Sequence, residues 1–494
     1  MRTMQTFLTK TSLKKIVLLD YLLEQNTPCE IDELKKILHV TDRSILNYID
    51  ELTELFEKYD SKILLLNDNN KRFQIQKEED FPIYTIYLHF YKASYNYHLI
   101  QFMYNHPEKT LKDFAEKQFT SVSTVLRYAK LLEQYFNRYR IHFHPYRLQL
   151  TADERKIRSF FYYFYWNATR ENGDKWPFQT TLSKIEHLIS SFEKNYQITL
   201  EPLQKRVFSY WLAINLERSQ IKKVVVTVDD QSVIQADPNF ERLQKWNNQL
   251  GLFLDENELF FLYQVIYSFG IIDGNSQYEN SYATVQKKHQ TRSYKIVLHL
   301  DKVLREMFKF NLAVDDQELI FNFIAFHERS SFFFGNTDLF FNRSYIDEVK
   351  EESPKKYRII EEFHQRLTDT TDQDLALLLQ NWEQLFLNYY FILDYYDLFS
   401  FYIDPIKILV HDDLHHTHRL WLMNKINALF GHSYTFAFYD YQTNIREVDL
   451  VISNYYFNTG EIPLILMKNI PTERNWRQLG EVLFQLTTIK ASLR

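Results

Sequence analysis

Apolar residues at Leu13, Ile16, Val17, Leu19, Leu22 and Leu23 recur with a helical period and predict an amphipathic helix over Thr11–Gln25. Pro28 closes that element. A second, shorter helix is expected over Glu30–Leu38, and Thr41 is placed to cap a third running from Asp42 to about Lys58. Two extended runs follow in Lys62–Gln76, on either side of an Asn/Asp-rich turn of the kind hairpins use. Short helix, tight turn, longer helix and hairpin is the order of a winged helix-turn-helix.

The plan then repeats. The stretch SILNYI, Ser44–Ile49, returns as TVLRYA, Thr124–Ala129, with Tyr48 and Tyr128 eighty residues apart. Around the second copy the pattern predicts a helix through Tyr84–Tyr104, a short one in LKDFAEKQF, a helix opened by Thr120, and a second wing in Arg140–Leu150. Duplication of the whole unit favours a pair of duplex-DNA readers over ordinary bundle helices. The opening turns of the third helix in each unit then carry the candidate contacts. These are Asp42, Arg43, Ser44 and Asn47 in the first, and Ser121, Ser123, Thr124, Arg127 and Lys130 in the second. Ile45, Leu46, Val125 and Leu126 are assigned to the packing side.

The middle of the chain is helical and also repeats. LAINLERS, Leu212–Ser219, pairs with FIAFHERS, Phe323–Ser330, at a spacing of 111, and His187-Leu188 pairs with His299-Leu300 at 112. Two tandem all-helical domains are the expectation. After Pro405 short apolar strands alternate with helices, which predicts a small α/β domain with a parallel sheet. The expected division is 1–78 and 79–152 for the winged units, 153–285 and 286–402 for the helical repeats, and 403–494 for the α/β domain.

Composition narrows the class. A chain of 494 residues is too long for one core. Only 8 Gly and 11 Pro leave little for turn-rich β architecture, so the fold is expected to be mainly α. One cysteine, Cys29, makes no internal disulfide, and no apolar run reaches membrane-spanning length; a cytoplasmic protein follows as the expectation.

The formal charge of −6 suits a nucleic-acid binder only once it is localised. Residues 81–150 hold nine basic against four acidic residues, net +5, whereas residues 1–80 hold twelve against fifteen, net −3. Phosphate is attracted by the local field, so the second unit is the expected anchor.

Two winged units followed by two helical repeats resemble the Mga and AtxA family of transcriptional regulators. That resemblance implies a global or virulence-type regulator whose repeats are phosphotransferase-system (PTS) regulation domains, or PRDs, which receive phosphate on histidine from PTS phosphocarrier proteins. On that implication His327, in the FIAFH context, is the first phosphoryl-acceptor candidate, followed by His299 and His187. The competing reading of His187 and His299 is shared packing, because a duplicated fold repeats its core as well as its sites. The α/β tail resembles the enzyme IIB (EIIB) sugar carriers. Where those have a phosphorylated cysteine after the first strand, this chain reads HDDLHHTH, so the tail is expected to serve contact, as in a homodimer.

No Walker loop, Gly-rich dinucleotide turn or HExxH stretch points to an enzyme, and no cofactor or metal is expected. The His-rich HDDLHHTH lacks the closed spacing of a zinc site. An RNA-binding antiterminator is the rival reading, since such proteins also pair PTS regulation domains; they lead with a β-rich module, whereas this N-terminus is helical and duplicated.

Overall fold

The computed structural model describes residues 7–68, 71–138, 140–169, 175–221, 225–251, 254–272, 276–312, 316–333, 345–370, 372–402, 404–431, 433–439 and 445–492. These are mainly helical, with 22 α-helices and nine short strands among the described residues. Two compact units divide the chain. The first takes residues 1–297, 313–344 and 377–381, and the second takes 298–312, 345–376 and 382–494.

In the first unit α1 (Lys10–Glu24) begins at Thr9, whose hydroxyl accepts the Ser12 N–H. Strand β1 (Cys29–Glu30), α2 (Ile31–Leu38) and α3 (Asp42–Phe56) follow, then β2 (Ile63–Asn67) and β3 (Arg72–Lys77). The sheet order is β1-β3-β2, with β2 and β3 antiparallel from Ile63↔Lys77 to Asn67↔Phe73. Strand β1 escapes a reading by period because two residues have none. Asn69 and Asn70, in the expected turn, lie outside the described residues. Leu18, Leu22, Leu34, Leu38, Ile45, Ile49, Leu52 and Phe73 form one core, and Cys29 is buried in it.

The second copy departs from expectation twice. The single helix over Tyr84–Tyr104 is two, α4 (Tyr84–Lys92) and α5 (Tyr95–Asn105), because Ser94 takes extended backbone and its hydroxyl accepts the Tyr97 N–H. A cap bond offers the chain an alternative to continuing the helix. After α6 (Leu111–Lys117), α7 (Val122–Arg138) is opened by Ser121 rather than Thr120, with Ser121 Oγ accepting the Thr124 N–H at 3.2 Å. Strands β4 (His142–His144) and β5 (Gln149–Thr151) pair antiparallel as the second wing.

Helix α8 (Glu154–Thr169) carries the aromatic run Phe160–Trp166, which is buried all round, as suits a central helix. It leads into α9 (Leu182–Tyr196), α10 (Pro202–Ser219), α11 (Gln231–Gln235), α12 (Pro238–Leu250), α13 (Glu256–Ser268) and α14 (Ser276–Lys288). Helix α15 (Arg292–Phe308) crosses the division of the chain at Val297. Helix α16 (Gln317–Phe332) packs on α13 and α14.

The polar interior of the first unit is organised by Arg158. Its guanidinium donates to both oxygens of Glu258 at 2.5 and 2.8 Å and to Glu154 at 3.0 Å, and Glu154 also accepts from Arg218 at 2.7 Å. Charges so deep in the core persist only when paired.

In the second unit, α17 (Tyr345–Glu352), α18 (Pro354–Thr368), α19 (Gln373–Leu378, whose last two residues count with the first unit) and α20 (Trp382–Tyr395) precede the α/β tail. Its strands are β6 (Ile406–His411), β7 (Phe436–Tyr439), β8 (Leu450–Ser453) and β9 (Leu464–Leu466), all parallel in the order β7-β6-β8-β9. Helices α21 (His416–Phe430) and α22 (Glu473–Ser492) add Leu422, Ile426, Leu479 and Leu483 to the core. Among the described residues no helix is long and apolar enough to cross a membrane.

Candidate nucleic-acid interface

The second winged unit presents the better-formed polar ridge. Helix α6 opens with a reciprocal cap in which Asp113 accepts the Thr110 N–H at 2.7 Å, so its carboxyl sits below the usual range, chiefly through the Thr110 hydroxyl. Val125, Ala129, Leu132 and Phe136 turn the inner face of α7 into the core beside Leu111 and Phe114. The outer face is then fixed by helical period. Ser121, Ser123, Arg127 and Lys130 are exposed, and Thr124 is half-buried.

Ser121 anchors the ridge. Its Oγ lies 2.9 Å from Ser123 Oγ and 2.8 Å from Thr124 Oγ1 while accepting the backbone bond that caps α7. A helix N-terminus edged with hydroxyls and backed by cations suits a phosphate oxygen or a base edge. Val125 is buried as the packing reading requires, whereas Leu126 is only half-buried.

The wing adds residues that the sequence reading did not single out. His142 and His144 alternate outward from β4 with ring centroids 4.3 Å apart, and Tyr146 and Arg147 are exposed at the turn. The alternation of His, Phe and His in the sequence carries that signal. The Tyr146 carbonyl accepts the Leu111 N–H at 3.1 Å, which ties the wing tip to the start of α6.

The first unit repeats the scaffold with different electrostatics. Thr41 caps α3 by accepting the Ser44 N–H at 3.3 Å, Arg43 and Asn47 are exposed, Ser44 is half-buried and Ile45 is fully buried. Here Lys35 bonds Asp42 at 2.8 Å and Asp32 at 3.1 Å. The Lys35 bond holds the Asp42 carboxyl below its ordinary range. A lysine shared between two carboxylates offers a phosphate little net charge.

Residues 79–165 match the family model described as the Mga helix-turn-helix domain, and residues 9–63 match that of the M protein trans-acting positive regulator helix-turn-helix domain. Along nearly its whole length the chain is similar to two Bacillus anthracis proteins. It is 20% identical to the capsule synthesis positive regulator AcpB over 470 residues, covering 90% of this chain and 93% of AcpB. It is 20% identical to the anthrax toxin expression trans-acting positive regulator over 502 residues, covering 96% of this chain and 98% of that protein. In both matched segments and in this near full-length similarity the chain resembles the Mga and AtxA family of transcriptional regulators. It is accordingly a DNA-binding regulator, and both matched segments contain the helix-turn-helix units built above.

The three histidine candidates occupy different environments. His327 on α16 is 0% exposed; its Nδ1–H donates to the Phe323 carbonyl at 2.7 Å and its ring lies 4.1 Å from that of Phe326. Next to it Glu328 is buried too, accepting from Tyr282 and Ser293 at 2.7 Å, and burial raises its carboxyl above the ordinary value. His299 on α15 is half-buried, with Nε2–H donating to the Leu367 carbonyl at 2.9 Å. His187 on α9 is exposed.

The turn after β6 is wired internally. His418 donates from Nδ1 to Asp412 at 2.9 Å and from Nε2 to the Asn469 carbonyl at 2.7 Å, so both nitrogens carry protons. Burial opposes that charge, but the Asp412 bond and the Asn469 carbonyl outweigh it and raise the His418 value. Asn454 donates to Asp413 at 2.5 Å, and Tyr455 donates to His411 at 2.7 Å. Two carboxylates at this turn repel a phosphate rather than cradle one. Among the described residues no group of His, Cys, Asp and Glu has the geometry to hold a metal ion.

Proposed function

We infer that this regulator grips duplex DNA mainly through its second winged unit, with the first as the weaker reader, and that it acts as a positive regulator in the cytoplasm. The observation that carries the reading is the ridge of exposed Ser121, Ser123, Arg127 and Lys130, with Thr124 half-buried beside them, on a capped helix within a segment of net charge +5. The similarity to two regulators named as positive supports activation.

The test is a salt series of duplex binding by the full-length chain. Each phosphate contact contributes about 0.9 to the slope of log affinity against log salt. The Arg127→Ala, Lys130→Ala double variant should lose affinity and about 1.8 of that slope. Arg43→Ala should lose less. Equal binding by wild type and the double variant removes the second unit as anchor.

Control is assigned to the five-part organisation, 1–78, 79–152, 153–285, 286–402 and 403–494, with the two helical repeats acting as PTS regulation domains. A phosphocarrier can hand its phosphoryl group only to an imidazole it can reach, which favours exposed His187, then His299. His327 requires α16 to open first. Incubation with phosphorylated phosphocarrier and single His→Ala variants locates the label, and label confined to His327 reverses that order.

The α/β tail is assigned to homodimer contact. Leu420 and Trp421 on α21, Ile470, and Phe484 on α22 are exposed apolar side chains there. Truncation after Asp404 should lower the dimer fraction in sedimentation.

A further inference from the structure

The tight turn of a helix-turn-helix needs one residue in left-handed backbone, a place glycine fills at no steric cost. Neither copy uses glycine. His39 holds the position in the first unit, with φ of 48°, and Phe119 in the second, with φ of 50°. They lie eighty residues apart, at the same offset as the repeated tyrosines. A bulky ring is disfavoured in this backbone region, so something other than the turn must account for it.

The core does not account for it. Phe119 is 99% exposed, so the fold gains nothing by burying its ring. Its neighbour on the first turn of α7, Val122, is 40% exposed. Together they set an apolar step beside the hydroxyls of Ser121 and Ser123, at the tip of the helix that carries Arg127 and Lys130. The first unit has His39 and Asp42 at the equivalent places, both polar.

What covers an apolar step at the tip of a recognition helix is decided by what the cations around it attract. A segment of net charge +5 attracts duplex DNA, and the apolar feature of a major groove is the C5-methyl group of thymine. We propose that Phe119, supported by Val122, contacts a thymine methyl group and sets a preference for thymine at that step of the second unit's site. The polar His39 gives the first unit a different preference, so the two repeats read unlike sequences. The inference rests on the second unit binding DNA, as argued above.

Phe119→Gly separates this role from folding, because glycine relaxes the left-handed position and the variant should melt at or above the wild-type temperature. Duplexes are enriched from a random library with the full-length wild type, and each thymine of the best duplex is replaced singly by uracil, which lacks only the methyl group. At one position the wild type should lose about fourfold in affinity, the factor that burial of one methyl group is worth. Phe119→Gly should bind the thymine duplex more weakly and show no difference between thymine and uracil there. Phe119→His, which installs the first unit's residue, should also lose the difference.

If Phe119→Gly keeps the discrimination and the affinity, the inference is overturned, and the ring then serves a protein partner. Loss of binding in Arg127→Ala under that outcome leaves the DNA reading standing. If the wild type enriches no duplex, both fall together.

Discussion

The ring of Tyr128 lies parallel to that of Tyr95, with 5.0 Å between centroids and 3° between planes, whereas Tyr48, its counterpart in the first unit, is buried in the core. The Arg127 guanidinium sits 5.2 Å from the Tyr128 ring on the same helix. The stack ties α7 to α5 and so aims the polar ridge. A double-mutant cycle of Tyr95→Ala and Tyr128→Ala should show a coupling of about 0.5–1.5 kcal/mol in unfolding. Each variant should weaken duplex binding without changing its salt slope. A zero coupling would mean that the two rings are neighbours only.

Asp42→Asn should strengthen binding. It removes a negative charge from the first turn of α3 and releases Lys35 from one of its two carboxylates. The salt slope should steepen by up to about 0.9 if Lys35 then meets a phosphate. A weaker complex would show that Asp42 contacts a base, as an acceptor for cytosine.

Arg158→Met leaves Glu258 buried without its guanidinium, while Glu154 keeps Arg218, and should destabilise the core around α8 by about 3–5 kcal/mol. Adding Glu258→Met should recover part of the loss, because a well-packed apolar pair replaces a half-broken ionic one. Chemical denaturation of the single and double variants measures both.

His364 and His418 should respond to pH in opposite senses. Burial holds His364 down, to about 4, against an ordinary value of 6.5. Its contribution to stability is complete above 6.5 and is lost as pH falls toward 4. His418 is raised above 6.5, so its contribution is complete below 6.5 and is lost as pH rises through its folded value. Ring-proton NMR should show His364 titrating below 6.5 and His418 above it. Equal midpoints would contradict the Asp412–His418 pair.

His327→Asp should act as a core lesion rather than as an imitation of phosphate. A carboxylate would replace a 0% exposed ring beside buried Glu328, at a cost of several kcal/mol. His187→Asp, on an exposed face, should leave the melting temperature nearly unchanged. Comparing the two melts, before any reporter measurement, shows which variant can be read as a charge mimic.

Local signals carried the order of the elements. The period of Leu13 to Leu23, the caps at Thr41 and near Ser121, the repeat of SILNYI as TVLRYA and the strand alternation after Pro405 all act within a few residues, and the elements formed close to where those signals lie. Even the exposed face of α7 followed from period alone, since Val125 and Ala129 can only point one way once the helix exists. Tertiary structure decided what depends on distant partners. It split Tyr84–Tyr104 at Ser94, paired Cys29–Glu30 with a strand forty residues on, and buried His327 while leaving His187 in solvent. It also spent Lys35 on Asp32 and Asp42, which a count of charges cannot see. A sequence lists the groups that can ionise or donate, but their availability depends on burial and pairing, and those are set by residues far away along the chain.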